Sequence, residues 1–459
     1  MKRAKTGSSA AAVRRAPRGA ASAAIAPSRA AGRRRSRGFT ARTEPRVGGR
    51  VLEAVTPSGT PVIVRPMPGF SKAYALLATR FGSLDAALPD GSALPVGLAH
   101  FLEHKMFATP DGDVFDLYAK RGASANAYTT FGHTAYLFSC TSQFEANLVT
   151  LLDTLGTMHA DAAGIEREKG IIGQEIAMYQ DDPSWRGYFG LLGALYRHHP
   201  IRLDVAGTAK TIAPIDRAVL LATHAAYYHP ENLVLVVAGD VDPDVVLARA
   251  TERLVSAARG AVHHRAAVPE PLAPASAEVR LPLSVSRPHV LLGWKDLPPG
   301  STGAPLVRHE VETEIVLEAL FGDGGAVEAG LYREGLVDES LEASSEAGHD
   351  FAFSVVSAEV DDVEAYRTRL LEAIDAVARR GLAAADVERC RRRAWGGWLR
   401  AFNSPERTAS LHLGMTLKDA RPEDALAALE GTTLARANAR LRELVARPRA
   451  WSILLPRGA

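Results

Sequence analysis

The sequence predicts an α+β protein made of two homologous domains, each a largely antiparallel sheet with helices packed on it. Three observations point there. At 459 residues the chain is too long for one ordinary domain and fits two of about 200. Short apolar runs with strand-like alternation are interspersed with longer segments whose apolar residues recur every three or four positions. The order of these segments in the first half also recurs in the second.

Composition narrows the class. Hydrophobic residues make up 47% and charged residues 23%, the balance of a globular chain. No apolar run approaches the roughly 18 residues of a membrane span. Two cysteines, Cys140 and Cys390, exclude a disulfide scaffold and fit a reducing compartment. The net charge of +2 hides an asymmetry: residues 1–50 hold 14 Lys or Arg against one acid, Glu44. The other 40 basic and 51 acidic residues leave the rest of the chain near −11. Residues 1–45 are therefore expected to be a disordered, basic, Ala- and Arg-rich tail. Its functional readings are an organelle transit peptide or a nucleic-acid arm; a solvated tail without function fits the composition best. Around Arg33-Arg34-Arg35 the apolar stretch of a twin-arginine export signal is missing. An acidic remainder without interleaved aromatics argues against a nucleic-acid partner. The expected location is the bacterial cytoplasm, or an organelle if the tail is a transit peptide.

Along the chain, residues 50–55 and 61–65 flank Thr-Pro-Ser-Gly-Thr and predict a hairpin, and 73–81 a third strand. Residues 94–107 predict a helix with Pro95 in its first turn and Val96, Leu98, Phe101, Leu102 and Met106 spaced for burial. Residues 115–120 predict a short helix ending at Gly122. Residues 124–139, rich in Thr, Tyr and Phe, predict a strand. Two amphipathic helices follow, 143–159 and 163–180, the second stopped by Asp181-Asp182-Pro183. Residues 233–239 predict a buried strand, and Asp242 opens a helix. Residues 258–285, dominated by Ala, Pro, Ser and Glu, predict a linker between domains at 46–257 and 286–459.

The halves match in detail. Ala135-Tyr-Leu-Phe-Ser-Cys-Thr141 precedes two helices, the second opening Gly164-Ile-Glu-Arg. Phe351-Ala-Phe-Ser-Val-Val-Ser357 precedes two helices, the second opening Asp386-Val-Glu-Arg. Superposing them places Glu168 over Cys390 and Glu175 over Gly397, so the acids sit in the first copy only.

That copy also holds His100-Phe-Leu-Glu-His104, the H-x-x-E-H order of the inverzincins. Residues four apart share a helix face, so two imidazoles project side by side. A catalytic zinc site takes three protein ligands and leaves one position open. Glu103 lies beside that face, placed to take a proton from water. The bland alternative is a pair of surface histidines. The third ligand must come from elsewhere, with Glu166, Glu168 and Glu175 on one helix as candidates. Glu168 and Glu175 are two turns apart on one stripe, so one can bind the ion while the other supports the site. Gly170 and Gly173 on that helix predict close helix packing over the metal. Other polar clusters read as structural: His198-His199 before Pro200 as a loop, His263-His264 as solvated linker, Arg391-Arg392-Arg393 as a solvated helix face.

The chain resembles the pitrilysin family of zinc peptidases, which includes insulin-degrading enzyme and the mitochondrial processing peptidase. The resemblance rests on His100-Phe-Leu-Glu-His104, Ala125-Asn-Ala-Tyr-Thr129 with Thr134-Ala-Tyr136, Glu168 and Glu175. It continues through Tyr196-Arg-His-His-Pro200, Gly207-Thr208 and Pro230-Glu-Asn232. The segment from Gly173 to Pro183 and Asn403-Ser-Pro405 are most similar to bacterial half-size members. It implies one zinc per chain held by His100, His104 and Glu175, with Glu103 as general base and Glu168 assisting. It implies that the strand with Asn126 and Ala127 pairs with an extended peptide substrate, Asn126 holding a carbonyl. It further implies a clamshell half that works as a homodimer or with a second half-size member. Family members place an Arg and a Tyr of the second domain, or of a partner, on the scissile carbonyl. Here Arg333 is present, but Asp338 stands where the Tyr is expected. The expected function is zinc-dependent endopeptidase activity; the alternatives are a non-catalytic or partner-dependent subunit, or a core subunit of a membrane complex.

Overall fold

A computed structural model describes residues 38–43, 46–109, 112–255, 262–338 and 341–457. Two sheets organise them. The first contains β1 (Thr40–Thr43), β2 (Arg50–Val55), β3 (Pro61–Pro66), β4 (Ala73–Thr79), β7 (Ser124–Thr129), β8 (Thr134–Cys140) and β9 (Leu233–Gly239), in the order β1-β2-β3-β9-β4-β8-β7. Between β4 and β7 the chain makes a small ribbon of β5 (Ala108–Thr109) and β6 (Gly112–Asp113). The second sheet contains β10 (Glu278–Leu283), β11 (His289–Lys295), β12 (Glu342–Ala347), β13 (Ala352–Glu359) and β14 (Arg449–Pro456), in the order β10-β14-β11-β13-β12. Among the described residues only β3–β9 and β10–β14 pair in parallel. The expected α+β class and largely antiparallel sheets are what the chain forms.

The duplication is visible strand by strand. The run β3-β9-β4-β8-β7 matches β10-β14-β11-β13-β12, with the parallel pair in the same place. The two repeated sequence segments land on β8 and β13. Two helices follow each: α3 (Phe144–Gly156) and α4 (Ala162–Asp181) in the first half, Val363–Arg380 and Ala384–Ala401 in the second.

Strands β4 and β9 are buried at every position, as their unbroken apolar runs require both faces covered. One face meets the helices of its own half. The other, through Leu76, Ala78, Val234 and Val236, meets Ala409 and Leu413 of helix Pro405–Leu417 from the second half. In return α5 (Pro183–Leu195) of the first half lays Leu191, Leu192 and Leu195 on Leu291, Val355 and Leu454 of the second sheet. Gly187 makes this contact close: a Cβ there would lie 2.7 Å from Leu291 Cδ1 and 2.9 Å from Leu454 Cδ1. Each half thus lends a helix to the other's sheet.

Several expectations need correction. β1 lies inside the expected tail, and Arg42 on it pairs with Glu53 on β2 and with Glu423. The Arg-rich composition around this short strand masked it; the rest of the tail falls outside the described residues, apart from its last few positions before β1. β10 lies inside the expected linker, because Val279, Leu281 and Leu283 alternate with Glu278, Arg280 and Pro282 within an Ala/Pro-rich stretch. The helix expected over 94–107 is α1 (Leu98–Lys105). It starts after Gly97, whose φ of 91° breaks helical geometry where a Cβ would strike Ala206 O at 2.6 Å. The single strand expected over 124–139 is the hairpin of β7 and β8. Gly170 and Gly173 face open space, not a neighbouring helix.

Candidate metal centre

α1 packs against α4 and β7, its apolar side carrying Leu98, Phe101 and Leu102 into the core. That places His100 and His104 toward α4, their rings edge to face at 4.7 Å between centroids. Glu175 of α4 meets both: His100 Nε2 lies 3.6 Å from Oε1, and His104 Nε2 3.4 Å from Oε2. Ligand atoms of all three fall within 4.8 Å of one another, the one such group among the described residues. Bonds of about 2.0–2.1 Å to a tetrahedral ion would set ligands roughly 3.3 Å apart. The two imidazoles and one carboxylate fit a zinc ion in both spacing and chemistry, so His100, His104 and Glu175 would hold it.

Glu168, two turns before Glu175, lies 3.0 Å from His104 Nδ1. A carboxylate there fixes the ring orientation and leaves Nε2 toward Glu175. Burial works against charge on His104, but Glu168, Glu103 and Glu175 together push its pKa up. Glu103 is enclosed between α1 and β7. Burial pushes its pKa up, against the Thr129 hydroxyl that donates to it at 2.6 Å and the nearby imidazoles. Glu175 is pulled down to about 2, chiefly by the His100 imidazole beside it; burial opposes this and the Tyr179 hydroxyl, donating at 2.5 Å, reinforces it. Thr129 and Tyr179 were not among the expected site residues. Tyr179 had a legible signal, four residues after Glu175 on one helix face. Thr129 closes the Ala125–Thr129 segment that carries the family resemblance, but only the fold brings β7 beside Glu103.

A cavity of about 1190 Å³ opens beside these groups. Glu103, His104 and Glu168 line it, as do Asn126 and Ala127 of β7. Phe107, Phe115, Met158 and Ile171 supply apolar wall. β7 is the last strand of its sheet, and no strand occupies its outer edge among the described residues. Asn126 is exposed, and its side-chain oxygen takes the Ala127 N–H at 2.9 Å, which leaves the amide hydrogens free to donate. Arg333 is not brought to this cavity: it is exposed on helix Glu328–Arg333 and donates to Ala329 O of its own helix. Asp338 pairs with Arg287 at 2.6 Å. In the second half Cys390 is buried, and no metal-ligating group exists there among the described residues.

A duplicated α+β architecture with a His₂Glu group fit for a metal, the one such group among the described residues, has the arrangement of a half-size metallopeptidase. Comparison with known proteins agrees. Residues 92–209 match the pattern of Insulinase (Peptidase family M16), and residues 214–394 match the Peptidase M16 inactive domain. The uncharacterized zinc protease YmfH of Bacillus subtilis is 37% identical over 392 residues, spanning 82% of this chain and 90% of that protein. The crystal structure of an M16-like peptidase from Alicyclobacillus acidocaldarius superposes with a TM-score of 0.83 at 34% identity, covering 91% of this chain and 98% of that one. Pitrilysin shares the fold at 15% identity and a TM-score of 0.71, this chain matching 47% of its length. The chain belongs to peptidase family M16, as a half-size member of the pitrilysin type. No helix among the described residues is long and apolar enough to cross a membrane.

Proposed function

We propose that this chain is a zinc-dependent endopeptidase acting on short or extended peptides, with one zinc per chain. The observation that carries the reading is the convergence of His100, His104 and Glu175 within 4.8 Å, beside a half-buried Glu103 that is not one of the three ligands. Bound there, zinc supplies Lewis acidity that polarises the scissile carbonyl and acidifies the attacking water. The chain's own residues do the rest. Peptide adds to the open edge of β7 as a further strand, with the Asn126 amide donating to a substrate carbonyl. Glu103 takes the proton of the attacking water and returns it to the departing amine; its raised pKa brings it nearer neutral pH than an ordinary carboxylate. Thr129 holds that carboxylate toward the cavity, and Glu168 holds His104. The test is chelation. Cleavage of a quenched peptide should vanish with chelator and return with zinc; cleavage indifferent to chelator would refute the reading.

A partner-dependent subunit is the second reading, favoured by the position of Arg333 away from the cavity. In that case a second half-size chain, identical or related, supplies the groups on the scissile carbonyl. Zinc would then bind stoichiometrically to a chain that cleaves nothing alone.

A further inference from the structure

Glu175 does not stand alone on α4. Its oxygen accepts the Tyr179 hydroxyl at 2.5 Å, and the Tyr179 ring lies flat on Trp185, 4.4 Å between centroids at 13°. The Trp185 indole N–H in turn donates to Asp204 Oδ2 at 2.7 Å. Asp204 is held by the Ala206 N–H at 2.9 Å, and the Trp185 backbone by the Asp182 side chain that caps α5. Beyond its first turn, α5 is clamped on the second sheet at Gly187. None of Tyr179, Trp185 and Asp204 lines the cavity. The three form a continuous link from the third metal ligand to the helix that joins the two halves.

We propose that Tyr179, Trp185 and Asp204 are positioning residues for the metal centre, a stacked and hydrogen-bonded relay that fixes Glu175 against the two histidines. A ligating carboxylate swings freely unless its second oxygen or its stem is held, and outer partners of ligands typically contribute roughly 10–100-fold in metal affinity. Tyr179 supplies the hold; Trp185 removes the freedom of Tyr179; Asp204 removes the freedom of Trp185. The inference rests on the zinc reading above.

The experiment measures zinc affinity by competition with a chromogenic chelator, beside the melting temperature of the metal-free protein. It compares the wild-type chain, Tyr179→Phe, Trp185→Phe, Asp204→Asn and the double variant Tyr179→Phe/Trp185→Phe. Each single variant should bind zinc about tenfold more weakly, with the metal-free melting temperature little changed for Tyr179→Phe, which loses one oxygen. The double variant should be no weaker than the worse single one, since either change breaks the same link. Affinities within about twofold of wild type would overturn the relay, as would a lowered melting temperature with unchanged affinity, or additive losses. A wild-type chain that binds no zinc would overturn the metal reading itself, and the relay with it.

Discussion

Glu103 and Glu175 are carboxylates on adjacent helices, yet their surroundings drive them apart. Burial raises one, while a histidine and a tyrosine hold the other at about 2. Opposed environments of this kind separate a proton acceptor from a ligand that stays ionised. His100, Glu103 and His104 were legible because helical periodicity alone puts them together. Which of Glu168 and Glu175 completes the triad was not, because both share a stripe and only the approach of α1 selects between them. Replacing Glu168 with Gln keeps its shape but loses the charge on His104; zinc affinity should fall roughly tenfold or more by chelator competition. Glu270 offers a separate test of charge and stability. It accepts the N–H groups of Arg197, His198 and His199 and contacts Lys295 Nζ at 2.5 Å, with its side chain 7% exposed. Burial opposes ionisation, but these partners hold its pKa at about 2, below the ordinary 4.5. A depressed carboxyl stabilises fully above pH 4.5 and progressively less as pH falls toward 2. The Glu270→Gln chain should be less stable by up to about 3 kcal/mol at neutral pH and converge with wild type only as pH falls to about 2 in urea titrations.

At the scale of elements, strands with unbroken apolar runs were readable, since local pattern determines them. Asp242 signals the helix that it caps, whereas the helices that Asp182 and Asp216 cap were not read, Asp182-Pro183 marking only the stop of the helix before. β1 and β10 were missed because their neighbours' composition outweighed a short alternation. Gly170 and Gly173 were misread: a helical glycine can signal close packing, but here the close contacts belong to Gly187. Gly187→Ala pushes a methyl between Leu291 and Leu454, and overpacking of this kind costs about 1–3 kcal/mol. Its denaturant midpoint should drop while the zinc bound per chain matches wild type. Removing residues 1–45 deletes β1 and the Arg42 ion pairs and should lower the melting temperature.

At the scale of the molecule, the repeat was legible in the order of segments and in the loss of acids at Cys390 and Gly397. The exchange of α5 and Pro405–Leu417 between the halves was not, because an amphipathic helix does not declare which sheet it will cover. With one candidate metal site among the described residues, none in the second copy there, and Arg333 remote from the cavity, the chain has the content of a single half. If a second half completes the site, specific activity should fall on dilution while zinc per chain does not. The most direct test of the central claim is to assay Glu103→Gln for bound zinc and peptide cleavage, side by side with wild type. About one zinc in both chains, with cleavage by the variant down roughly 10²–10⁴-fold, is the predicted result; a variant that cleaves at the wild-type rate would contradict it.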